Sequence, residues 1–112
     1  MATKIDILGA KYSVSSETEE DNPKLVGNSG LCENYSKRII IDTSDRDEPT
    51  TVENYDGYCH RVLRHEGFHA IFHEAGLSKY NDDEDLVEAL AVLYPKIKVI
   101  MDKLDSLDVE KL

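Results

Sequence analysis

The five residues His65-Glu66-Gly67-Phe68-His69 decide the reading of this chain. Two histidines four positions apart on an α-helix differ by about 40° around the axis and about 6 Å along it. Their imidazoles can therefore converge on one cation from one face. Glu66 points to the side, towards the space beside such a cation. Two nitrogen ligands, a third protein ligand, an open position and a carboxylate to take a proton are what hydrolytic zinc chemistry requires.

Outward from the pentad, apolar residues recur at helical spacing: Val52, Tyr55, Cys59, Val62 and Leu63, then Phe68, Ile71, Phe72 and Ala75. Thr50 and Glu53 have the spacing of a capping box behind Pro49, and Gly76 suits the position after the last turn. These signals predict one helix over about 51–75. Gly57 and Gly67 each cost it about 1 kcal/mol relative to alanine, so packing or close approach is expected to offset them. A second helix is expected over about 83–105, capped by Asn81 or Asp82. Its main stripe is Leu86, Leu90, Leu93, Ile97, Ile100, Leu104 and Leu107, with Pro95 expected to kink or divide it.

The first half reads as strands and loops. Ile5 and Ile7, then Tyr12 and Val14 beyond Gly9, alternate around a turn. Segment 15–30 is polar and reads as a long loop with at most one short turn. Residues 37–42 (KRIIID) are the best strand, because three consecutive isoleucines favour a pleat. The expected class is α+β: a small N-terminal antiparallel sheet, three-stranded, packed on two helices. The chain of 112 residues is read as one domain.

A net charge of -10 argues against a nucleic-acid partner. No run approaches a membrane span, and the first residues lack the apolar core of a secretory signal. With two isolated cysteines, Cys32 and Cys59, the expected setting is the reducing cytoplasm, without a disulfide.

The run 86–94 (LVEALAVLY) holds one charged residue, Glu88. A carboxylate on a nearly apolar helix is expected to be partly buried and to need a partner. Glu84 lies one turn earlier on the same face. Either acid can ligate a cation while the other holds a ligand imidazole by its far N–H. Glu84 also reads as an ordinary first-turn acid, and Glu88 as part of a solvated face.

On these residues the chain resembles a minimal gluzincin-type zinc metallopeptidase, and is similar in particular to the ImmA/IrrE-like peptidases of phages and mobile elements. The likeness rests on the HExxH helix, the preceding strand 37–42, and a following helix in which an acid, Glu84, stands eleven residues before a proline, Pro95. It covers roughly residues 36–97. It implies one Zn²⁺ per chain on His65, His69 and Glu84, Glu66 as general base, and Glu88 supporting His65. It also implies a protein substrate, such as a repressor or other regulator. Family members often read Glu-Ala-Asn at the third ligand, where this chain has Glu84-Asp85-Leu86. They often carry a helix-turn-helix domain, which is not read in these residues.

An oxyanion stabiliser is expected from Tyr80, Tyr94, Tyr35 or His73, without a choice among them. His73 is rotated about 80° from His65 and lies about 12 Å further along the helix, too far to join the same tetrahedral site. The strand 37–42 is a candidate for pairing with an extended substrate. Two other functions fit the sequence: a non-catalytic metal-binding interaction protein on the same fold, and an acidic inhibitor or nucleic-acid mimic.

Overall fold

The computed structural model describes residues 2–44 and 54–112. Strands β1 (Thr3–Ile7) and β2 (Ala10–Glu17) form a hairpin, with Ile5 opposite Tyr12 and Ile7 opposite Ala10. Its two central residues, Leu8 and Gly9, have φ of 52° and 92°. Positive φ at both positions is the turn whose twist matches paired strands. The Gly9 N–H donates to Asp6 Oδ1 at 2.8 Å.

The next segment crosses over through a short 3-10 turn, Pro23–Leu25, whose Leu25 is fully buried. Strand β3 (Gly30–Glu33) then pairs antiparallel with β4 (Arg38–Asp42), and β4 inserts parallel to β2. The strand order is β1-β2-β4-β3. The sheet is therefore mixed and four-stranded, not the antiparallel three-stranded sheet expected. Residues 18–29 carry the chain past the place of β4 to β3, which runs opposite to β2, and the reversal at 34–37 then brings β4 in between them, parallel to β2. Ile39 and Ile40 point to opposite faces of β4, and both are buried, at 2% and 0% exposure. A central strand covered on both sides accounts for the unbroken isoleucine run.

Helix α1 (Tyr55–Glu74) lies on the sheet, with Tyr12, Ile39 and Ala70 forming a buried cluster. Asn54 Oδ1 accepts from the Gly57 N–H at 3.1 Å and caps it. The expected box of Thr50 and Glu53, with Val52, lies outside the described residues. At the other end Leu77 N–H donates to Phe72 O and Gly76 N–H to His73 O, with Gly76 at φ 74°. These paired bonds are the glycine-dependent stop that the sequence predicted at Gly76.

The expected loop 76–82 contains a single helical turn, α2 (Ser78–Asn81). Helix α3 (Glu84–Asp105) follows, capped by Asp83 through the Leu86 N–H rather than by Asn81 or Asp82. Pro95 sits inside α3 without dividing it. The buried positions of α3 are Val87 and Ala91. The expected leucine and isoleucine stripe is centred about 140° round from Ala91; Leu86, Leu90 and Ile97 are half-buried, and Leu93, Ile100, Leu104 and Leu107 are exposed.

Candidate metal centre

His65 and His69 stand one turn apart on α1, and Glu84 opens α3. The Nε2 atoms of the two histidines are 3.3 Å apart. Glu84 places Oε2 at 2.9 Å from His65 Nε2 and Oε1 at 3.1 Å from His69 Nε2. A tetrahedral ion held at about 2.0–2.1 Å needs its ligand atoms about 3.3 Å apart. The three groups, two imidazoles and a carboxylate, thus have the spacing and donor chemistry of a zinc site. His73 Nε2 instead approaches Glu74, at 3.9 Å, and takes no part.

The far ring nitrogens are held differently. His69 Nδ1 lies 2.6 Å from Asn81 Oδ1. An amide oxygen only accepts, so Nδ1 carries the proton and Nε2 turns its lone pair to the centre. His65 Nδ1 is 3.6 Å from Glu88 Oε2, an ion-pair distance rather than a hydrogen bond. The Glu88 side chain is 47% exposed, more than the apolar run around it suggested, and its cationic neighbour is Arg61, with Nε at 3.9 Å.

Glu66 is the one charged residue buried among the described residues, at 8% exposure. It lies between Val62 and Ala70 on the buried stripe of α1, which faces the sheet. Burial pushes its carboxyl above the usual range, opposed by His65 and His69 and reinforced by Glu84 and Glu88. Gly30 of β3 makes room for it. A Cβ there would stand 3.1 Å from Glu66 Cγ and 2.8 Å from Val62 Cγ1.

His65, Glu66, His69 and Glu84 line an open cavity of about 540 Å³ whose opposite wall includes β3. The other site residues expected from sequence are elsewhere. Tyr94 packs edge-on against Phe68, Tyr80 stacks near Phe72, and Tyr35 meets His73. None of Tyr35, His73, Tyr80 and Tyr94 is among the described residues lining the cavity. Tyr58 and Arg61 do line it. They precede His65 by seven and four residues, so the helical period already placed them on its face. The sequence marks Asn81 only as a cap, and its contact with His69 depends on α2 folding against α1. The strand expected to receive substrate, 37–42, has both edges occupied by β2 and β3. Among the described residues the sheet ends on β1 and on β3, and β3 is the edge beside the cavity.

Cys32 also borders the cavity. Burial and the nearby carboxylates of Glu66 and Glu74 push its thiol up to about 12, and both cysteines are free. Among the described residues no helix is long and apolar enough to cross a membrane. Comparison of the chain with protein-family models, with curated proteins and with solved structures gives no match.

Proposed function

We propose that the chain is a zinc-dependent endopeptidase that cleaves a protein substrate in the cytoplasm, the substrate being a repressor or similar regulator as the family resemblance implies. The observation that carries this reading is the convergence of His65 Nε2, His69 Nε2 and the Glu84 carboxylate beside a buried Glu66. Zn²⁺ bound by these three groups supplies a Lewis acid that polarises a peptide carbonyl and acidifies water. Glu66 takes the proton from the attacking water and hands it to the leaving amine. Asn81 keeps His69 in the required tautomer. The free edge of β3 pairs with an extended substrate and lays its backbone across the cavity. Tyr58 and Arg61, two turns and one turn before His65, are the donors available to a developing oxyanion.

Elemental analysis of protein purified without added metal tests the site. About one zinc per chain, lost in His69→Ala, is expected. Glu66→Gln should retain the metal and lose peptide hydrolysis. Zinc binding with no hydrolysis in the wild type would favour the metal-binding interaction protein, and no zinc at all would favour the acidic inhibitor.

A further inference from the structure

Arg61 lines the cavity one helical turn before His65, about 40° round the axis from it. Among the described residues it is the one lysine or arginine in the cavity wall. Its guanidinium carbon lies 5.5 Å from the centre of the Tyr58 ring, three residues earlier on α1. The Tyr58 hydroxyl in turn donates to Ser29 Oγ at 2.5 Å, which ties the ring to the loop before β3. A planar guanidinium set over a held ring is pre-organised for a ligand.

The donors of Arg61 are unspent. Arg38 donates to Glu33 and Glu17, and Arg64 to the Ala91 carbonyl. Among the described residues the Arg61 side chain makes no hydrogen bond, and Glu88 approaches its Nε at 3.9 Å, an ion-pair distance. The terminal Nη pair, whose fork matches the two oxygens of a carboxylate, is left open on a side chain 45% exposed. The main-chain N–H groups of Gly27 and Ser29, in the same wall, also lack a hydrogen-bond partner among the described residues. The carboxylates in the wall are Glu66, Asp82, Glu84 and Glu88. An anionic group entering beside the metal centre therefore has Arg61 as its cationic contact.

We propose that Arg61 is a specificity residue, receiving the carboxylate of a substrate aspartate or glutamate two or three residues from the bond to be cut. This rests on the peptidase reading above. Four helical residues span about 6 Å, and an extended chain advances about 3.3 Å per residue, which sets the distance along the substrate. The protein as a whole favours the opposite charge. A net charge of -10 repels glutamate and attracts lysine wherever they stand in a substrate. A preference for glutamate at a single position is thus a sign of Arg61 and not of the general field.

Libraries of blocked octapeptides with glutamate, glutamine or lysine at one fixed position test this, at about 0.15 M salt to screen the general field. Cleavage sites are read by mass spectrometry. At one position within three residues of the cut, the zinc-loaded wild type should cleave the glutamate library about 10- to 100-fold faster than the glutamine library. Arg61→Gln should lose that ratio, and Arg61→Glu should favour lysine at the same position. The ratio is taken within each protein, so any share of Arg61 in stabilising an oxyanion does not enter it. Zinc content and circular dichroism of each variant should match the wild type. Equal cleavage of the glutamate and glutamine libraries by the wild type overturns the proposal, as does a glutamate preference that survives Arg61→Gln. If the zinc-loaded wild type cuts no library, the peptidase reading fails, and binding of the same libraries, fluorescently labelled, decides the subsite separately. Tighter binding of glutamate that is lost in Arg61→Gln supports it, and equal binding overturns it.

Discussion

Arg64 Nε donates a 2.7 Å hydrogen bond to the carbonyl oxygen of Ala91. Ala91 is the residue four before Pro95, whose ring nitrogen has no hydrogen to give it. Pro95 therefore leaves one buried helix acceptor unpaired, and α1 supplies the missing donor from the position next to His65. The bond explains why α3 runs through its proline, and it ties α3 to α1 at the metal cluster. Arg64→Met should destabilise the fold by about 1–3 kcal/mol, the cost of a buried polar group without a partner. In a Pro95→Ala background, where the helix can pair Ala91 itself, the same substitution should cost clearly less. Urea denaturation of the four proteins gives the coupling, and equal costs in both backgrounds would refute it.

Two glycines should respond in opposite directions. Nothing lies within 4 Å of a Cβ built at Gly67, in the middle of α1. The offsetting contact expected from sequence is absent there, so Gly67→Ala should stabilise by about 0.5–1 kcal/mol and raise the melting temperature by a few degrees. Gly30→Ala should destabilise by about 1–3 kcal/mol, because Val62, Glu66 and the Ile40 carbonyl leave no space. Thermal melts of both variants check the pair.

Asn81→Ala removes the acceptor that fixes the His69 ring. Zinc affinity, measured by competition with a chromophoric chelator, should fall by about 10- to 100-fold. The melting temperature of the metal-free protein should change little, because Asn81 is on a single helical turn.

Acid should weaken the junction of α1 with β2. Glu74 is held below the usual carboxylate range, first by Lys37 and then by the Tyr12 hydroxyl, which donates to Oε2 at 2.7 Å. A lowered folded-state value means that the stabilisation is complete above the unfolded value near 4.5 and is lost as pH falls through the folded one. The difference in stability between wild type and Glu74→Gln should thus be constant near neutrality and shrink below about pH 4.5. Urea midpoints across pH 3–7 would show it, and a difference unchanged at pH 3 would contradict it.

Local period and local stereochemistry determine much of this protein. The four-residue spacing of His65 and His69, the reversal at Gly9, the stop at Gly76 and the long helix carrying Glu84 all depend on neighbours within one element, whose geometry the backbone repeats. What needed the tertiary structure are relationships across elements. The parallel insertion of β4 depends on where the crossover lands, and the burial of Glu66 depends on a glycine thirty-six residues earlier. Arg64 answers a proline on another helix. The stripe on α3 is plain in the sequence, but only packing shows that Val87 and Ala91 are the fully buried positions and that Leu93, Ile100 and Leu104 of the stripe stay exposed. Periodicity identifies an apolar face, while its partner is set by how all the elements fill the core together.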